Sequence, residues 1–224
     1  MHLLLLSATD FEISETANWL NSSAISHNVL DVELLIGGVG QLATSYALQK
    51  QIHQKQPNLV IQAGIGGAIS KNEIGKLYAI GSERIADLGL MEKSGFTNIF
   101  DMGLSQPDAF PFREGRLVNP WLSLLKWTAL PVLDGITVNE IKSADFGGFQ
   151  RNAVPVVESM EGAALHYVCL MEKIPFLQIR SVSNMIGDRD KSQWKIKEAL
   201  ERLNETLIFL IQKLENTDEA IFGI

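Results

Sequence analysis

Near-continuous apolar runs such as "HLLLLSA" at residues 2–8 and "NLVIQAGI" at 58–65 constrain the fold of this chain more than any other feature. A strand with one wet face alternates apolar and polar residues, whereas a strand covered on both faces does not need to. These two segments are therefore predicted to be central strands. Further strand-like segments are "VELLIGGV" (32–39), "KLYAIGSERIA" (76–86), "LPVLDGITV" (130–138), "VPVVES" (154–159) and "IPFLQIRSVSN" (174–184). Helix-like stretches fall between them: "FEISETANWL" (11–20), "LATSYALQKQIHQ" (42–54) and "SMEGAALHYVCLME" (159–172). Strands that alternate with helices specify an α/β protein with a twisted central sheet flanked by helices. A last helix shows one apolar stripe through Ile196, Ala199, Leu200, Leu203, Leu207, Leu210, Ile211 and Leu214, at helical spacings of three and four.

Residues 88–120 lack either periodicity and are rich in Gly, Pro, Asp and Asn, so an irregular excursion is expected there, while "ENTDEAIFGI" is expected to fray. Nothing in the pattern marks a linker or a repeat, and the chain reads as one domain over 1–224. With 46% hydrophobic and 20% charged residues it can bury a full core. A net charge of -7 leaves no basic stripe for a phosphate backbone, so nucleic acid is not expected as a partner. The run of four leucines at the start has no basic flank and is followed by Asp10 and Glu12, which fits a strand and not a signal peptide. No stretch reaches the roughly 20 apolar residues of a membrane helix. A single cysteine, Cys169, fits a reducing compartment, and the cytoplasm is expected.

Candidate chemistry collects at strand ends. "GGVGQLA" (37–43) is formally a dinucleotide fingerprint, but the next strand ends in "IQAG" and not in the acid that binds a cofactor ribose, so no nicotinamide or other cofactor is expected. The alternative is a tight turn at Val39 and Gly40 that offers backbone N–H groups to another ligand. "QAGIGGA" (62–68), with Gly64 and Gly66, reads as a second glycine-rich strand exit on the same crevice, or as plain turn glycines. Glu12 either rims that crevice or is a solvated helix-start charge. Glu161, between Met160 and Gly162, is either a helix-start acid or a carboxylate that grips a vicinal diol, since each of its oxygens accepts hydrogen bonds. Gly162 costs about 1 kcal/mol inside a helix relative to Ala, which points to a close approach by another backbone or a ligand. Asn184 ends a strand or begins a turn. His2, His27, His53 and His166 are scattered, so no metal site is expected, and His166 and Cys169 read as core filling.

Together, the acid after the first strand, the glycine turn and the Met160–Glu161 pair opening a late helix resemble the nucleoside phosphorylase and nucleosidase superfamily. The resemblance spans nearly the whole chain. Within it, "VVESMEGAA", "RIADLGL" followed by "SGF", and "IRSVSNMIGDRDKSQW" are similar to the hydrolases that cleave futalosine. The resemblance implies a nucleoside phosphorylase-like fold with a mixed sheet, a small purine nucleoside as substrate, and a homo-oligomer, a dimer being favoured. By position it implies that Glu12 activates water, that Glu161 binds the ribose hydroxyls and that Met160 packs on the sugar. The adenosine-cleaving members carry an aspartate where this chain has Asn184, and an amide suits a 6-oxopurine. Phosphorylases place an arginine and a serine where Gln62 and Ile65 stand, which favours water over phosphate as the nucleophile. Other purine nucleosides, cleaved by water or phosphate, and a non-catalytic nucleoside-binding protein remain as alternatives.

Overall fold

The computed structural model describes residues 1–22, 30–141, 155–188 and 190–217. His27, Arg189 of the "IRSVSNMIGDRDKSQW" segment, and the tail from residue 218 lie outside the described residues. The elements alternate as the sequence pattern requires. Strand β1 (His2–Ser7) leads through a 3₁₀ turn (Asp10–Ile13) into α1 (Ser14–Ser22), then β2 (Asp31–Ile36), α2 (Gln41–Gln54) and β3 (Leu59–Ala68). Next come β4 (Leu77–Ile85), β5 (Gly89–Glu92), β6 (Gly95–Asn98), β7 (Leu117–Val118) and α3 (Leu122–Trp127). The chain continues as β8 (Val132–Thr137), β9 (Val156–Ser159), α4 (Gly162–Glu172), β10 (Phe176–Met185) and α5 (Ile196–Glu215).

The two segments read as central strands are central. β1 pairs in parallel with β2 on one side and β3 on the other, so that Leu5 lies opposite Leu34 and Ile61. Leu3, Leu4, Leu5 and Leu6 are each 0% exposed, and the period of two sends them to opposite faces. Leu3 and Leu5 pack with Leu203, Leu207, Leu210 and Ile211 of α5. Leu4 and Leu6 pack with Leu48 and Ile52 of α2 and with Leu165 and Cys169 of α4. Burial of each leucine contributes about 1.5–3 kcal/mol, which makes this double-sided run an anchor for both helical layers.

The sheet is mixed, as expected, but it also closes on itself. β3 pairs in parallel with β10 along its length and antiparallel with β9 through Gly67 and Ala68. β10 runs antiparallel to β4, β4 parallel to β8, and β8 parallel to β9, which completes a ring of β3, β10, β4, β8 and β9. β1 and β2 extend the sheet from the first half of β3.

The excursion over 88–120 is less irregular than its composition suggests, because it contains the β5–β6 hairpin and the short β7, which pairs with β4. Gly64, Gly66 and Gly67 lie inside a ten-residue strand and not in an exit turn. Their missing side chains make room for neighbours. A Cβ on Gly66 would stand 2.8 Å from the Glu158 carbonyl oxygen and from Val157 Cγ1, so β9 occupies that space and the ring can close. No helix among the described residues is long and apolar enough to cross a membrane.

Candidate active site

The carboxyl ends of β1, β2 and β3 and the start of α4 converge on a buried arginine. Arg180 of β10 is 1% exposed. Its Nη2 donates to Gln62 Oε1 on the neighbouring β3 at 2.8 Å and lies 3.6 Å from Glu161 Oε2. Nη1 points at Gly64, where a Cβ would overlap it and would also stand 2.8 Å from Glu12 Oε1. Gly64 is thus the gap through which the guanidinium of Arg180 and the carboxylate of Glu12 approach each other.

Glu12 is held there by its whole neighbourhood. Oε2 accepts from Ser7 Oγ at 3.0 Å, and from the Thr9 N–H and Thr9 Oγ1 at 3.2 Å each. The Thr9 N–H contact is the reach-back of a capping box, so Glu12 does serve its own helical turn. Oε1 instead turns across to β3 and accepts from the Ile65 N–H at 3.0 Å. A carboxylate oxygen has two lone pairs, and among the described residues the second on Oε1 faces the Gly64 gap. Of the two readings of Glu12, the solvated charge does not hold, because the residue is buried at 8% exposure although it does serve its own turn.

Glu161 holds the position just before the first residue of α4, and its side chain makes no capping hydrogen bond to that helix. Its Oε1 accepts from the Gly40 N–H at 3.0 Å, in the turn between β2 and α2. Gly40 has φ of 90° and ψ of 160°, a conformation open essentially only to glycine, and this conformation aims its N–H at the carboxylate. Val39 beside it is 59% exposed and stands at the rim. Met160 is half-buried between the end of β9 and Glu161. The structure therefore gathers Glu12, Gly40, Gly64, Arg180 and Glu161 into one constellation.

Asn184 stands apart from that constellation, four residues beyond Arg180 on β10. At a rise of about 3.3 Å per residue this is about 13 Å along the strand. It is a strand residue just past an irregularity in the β3–β10 register, opposite Gly67. Ser183 Oγ donates to its Oδ1 at 2.8 Å, and its Nδ2 donates to the Met185 carbonyl at 2.9 Å. One of the two amide hydrogens stays available. Gly66 is filled by β9 and opens no space of its own.

Two sequence inferences need correction. The guanidinium missing from position 62 is not missing from the site, because Arg180 on the adjacent strand supplies one against Gln62. The close approach at Gly162 is made by side chains and not by a backbone or a ligand: a Cβ there would overlap Glu83 Oε1 and Gln178 Nε2. Arg180, Glu83 and Gln178 carried a signal that went unused, namely polar or charged residues inside otherwise apolar strands, which are seldom buried without a partner. His166 and Cys169 are buried, as expected of core filling. Burial holds the Cys169 thiol well above its ordinary range. Glu158, raised to about 7 by burial and then by Asp87, is a further acid at the β9 end.

The mixed sheet closed into a ring thus carries two carboxylates and a glycine turn at its carboxyl edge. Residues 135–214 match the model of the phosphorylase superfamily. The chain is similar to the futalosine hydrolase of Streptomyces coelicolor, with 29% identity over 231 residues covering 96% of this chain and 97% of that protein. It is also similar to the 5'-methylthioadenosine/S-adenosylhomocysteine nucleosidase of Psychromonas ingrahamii, with 26% identity over 84% of this chain and 82% of that protein. Among solved structures, the futalosine hydrolase of Helicobacter pylori shares the fold with a TM-score of 0.72 at 15% identity, covering 95% of this chain and 98% of that one. The nucleosidase of Colwellia psychrerythraea in complex with adenine shares it with a TM-score of 0.74 at 16% identity, covering 96% of each chain.

The Gly64 gap gives a direct test of this geometry. Gly64→Ala is expected to lower stability by about 1–3 kcal/mol in denaturant unfolding, the usual range for overpacking. A change below about 0.5 kcal/mol would mean that Arg180 and Glu12 do not meet at this glycine.

Proposed function

We propose that this protein is an N-ribosyl hydrolase that cleaves the N-glycosidic bond of futalosine and releases hypoxanthine, a step of the alternative menaquinone route. The observation that carries the reading is the joint placement of Glu12 Oε1 and Arg180 Nη1 on either side of Gly64, in a chain similar over nearly its full length to futalosine hydrolases. A water at the edge of these two groups would donate to Glu12 and accept from Arg180. Glu12 takes a proton as the water oxygen attacks the anomeric carbon, and the bond from that carbon to the purine nitrogen breaks with its electron pair leaving on the base. A positioned general base of this kind typically contributes 10²–10⁴-fold.

Glu161 binds the ribose hydroxyls and favours the positive charge that develops on the sugar. Met160 packs on the sugar face, and the Val39–Gly40 turn and Gly64 line its surroundings, with Gly66 further along the same strand. Asn184, its amide oxygen engaged by Ser183, directs its remaining N–H at N7 or O6 of the departing 6-oxopurine. An amide cannot hand over a proton as a carboxylic acid does, but hypoxanthine can spread the leaving charge onto its carbonyl oxygen.

Water is favoured over phosphate by charge. Among the described residues the guanidinium in the site, that of Arg180, is flanked by two carboxylates, so an entering phosphate dianion would meet Glu12 and Glu161 as like charges. The similarity to a methylthioadenosine nucleosidase supports a second reading, cleavage of an adenine nucleoside, which the residue at 184 argues against. We further propose a cytoplasmic homo-oligomer, a dimer being favoured. Phe11 after β1, Val39 after β2, and Leu42 and Tyr46 on α2 are 62%, 59%, 87% and 70% exposed, apolar surface that suits a subunit contact.

Hypoxanthine release from futalosine, with methylthioadenosine and inosine as competing substrates, tests the reading. Glu12→Gln is expected to keep substrate binding and to lower turnover by at least about 10²-fold; near-normal turnover would remove Glu12 from the role of base. Asn184→Asp is expected to lose futalosine activity and to gain activity on the 6-amino analogue, read as the ratio of kcat/KM for the two substrates. An unchanged ratio would place base selection elsewhere.

A further inference from the structure

Behind the site lies a buried polar chain that the reaction does not use. Glu83 of β4 is 0% exposed. Its Oε1 accepts from Gln178 Nε2 at 2.8 Å and its Oε2 from Thr137 Oγ1 at 3.0 Å. The same Thr137 oxygen accepts from the Ala163 N–H at 2.8 Å, in the first turn of the helix that Glu161 precedes. Gln178 sits two residues before Arg180 on β10 and also interacts with the ring of His166. Glu83 therefore joins β4 to the strand that carries Arg180 and to the helix end that carries Glu161.

The hydrogen-bond accounting of this chain depends on one proton. His166 Nδ1 lies 2.9 Å from the Leu117 carbonyl, which can only accept, so Nδ1 bears the ring hydrogen and Nε2 is an acceptor. With the Gln178 nitrogen turned to Glu83, both His166 Nε2 and Gln178 Oε1 are buried without a hydrogen-bond partner. Turning the amide over gives His166 Nε2 a donor and puts the amide oxygen against Glu83, where it needs a hydrogen. A protonated Glu83 supplies that hydrogen, and every group is then paired: Glu83 O–H to Gln178 Oε1, Gln178 N–H to His166 Nε2, His166 Nδ1–H to Leu117 O.

We propose that Glu83 is a positioning residue that works as a neutral carboxylic acid, donating into the Gln178–His166 chain so that Arg180 stays committed to Gln62 and Glu161. The charge count agrees. The charge that acts on Glu83 is that of Arg180 from β10; Arg84 beside it on β4 offers its backbone N–H, His166 of α4 is reached through Gln178, and Asp134 of β8 is engaged by Arg116 and Ser82. An ionised Glu83 would be a third carboxylate competing for the Arg180 guanidinium. Burial pushes Glu83 up to about 7, against hydrogen bonds from Gln178 and Thr137 and the charge of Arg180, and burial pulls His166 down to about 3.

Because the native state holds this proton where the unfolded chain has lost it, the Glu83 contribution to stability falls as pH rises from about 4.5 to about 7 and is constant above. Glu83→Gln keeps the shape and the donor and cannot ionise. The decisive measurement is carboxyl NMR of the protein labelled in glutamate, titrated in wild type, Glu83→Gln and Glu158→Gln, since Glu158 is also raised to about 7. Wild type is expected to show two carboxyls still protonated at about pH 6: one that is retained in Glu158→Gln and lost in Glu83→Gln, and that of Glu158, which shows the reverse. If Glu83→Gln fails to fold, the resonance that survives in Glu158→Gln decides. A fully ionised set of glutamates at that pH in Glu158→Gln would overturn the proposal. The role toward Arg180 rests on the hydrolase reading and has its own test: kcat/KM on futalosine should fall about tenfold between pH 6 and 8 in wild type, as one proton is lost, and by less than about twofold in Glu83→Gln. Parallel pH profiles would leave Glu83 without a part in positioning, and inactivity of wild type on futalosine would overturn the hydrolase reading while the NMR result stood.

Discussion

The buried guanidinium of Arg180 is the constraint on which the rest of the site depends. A charge at 1% exposure is tolerated only when paired and hydrogen-bonded, and removal of one partner of such a group typically costs about 3–5 kcal/mol. Its demands run through four elements. β3 must offer Gln62 as an acceptor and a glycine at 64, the turn after β1 must bring Glu12, and the start of α4 must bring Glu161. Gly40 then needs its glycine-only backbone to reach the far oxygen of Glu161. The same contacts bring an acceptor and a cation together at Gly64.

Three carboxyl groups around one arginine are kept distinct by their surroundings. Glu12 accepts two backbone N–H groups and two hydroxyls, Glu161 accepts a backbone N–H and faces the guanidinium, and Glu83 lies in the apolar interior with an amide and a hydroxyl. The first two look into the crevice from turns, where a ligand can displace water. The third lies inside the ring of strands, where no ligand reaches and its effect passes through Gln178 and Thr137. This division follows from topology: the crevice forms where β1, β2 and β3 end, while Glu83 on β4 sits two strands from β3 round the ring, beyond β10.

Much of this was legible in the sequence because it is written in local patterns. The double-sided burial of "HLLLLSA", the helix stripe from Ile196 to Leu214, the acid three residues after Thr9 and the Met160–Glu161 pair before a helix each carry their own signal. Closure of the ring was not legible, because it depends on β9 approaching Gly66, a contact between residues about 90 positions apart that no periodicity encodes. The glycines of "QAGIGGA" read as a turn because glycine is common in turns, whereas here they admit Arg180, Glu12 and β9 into a strand. Arg180 and Glu83 were missed for a related reason: a single polar residue in an apolar strand announces that it has a partner and does not say which one.

The central claim is that water, bound at the edge of Glu12 and Arg180, takes the sugar from the purine. It is tested most directly by phosphorus NMR of the products formed from futalosine in phosphate buffer, with hypoxanthine followed in parallel. The account predicts hypoxanthine together with a reducing sugar product, no sugar 1-phosphate, and a rate unchanged when phosphate is removed. Formation of a sugar 1-phosphate, or turnover that requires phosphate, would contradict it.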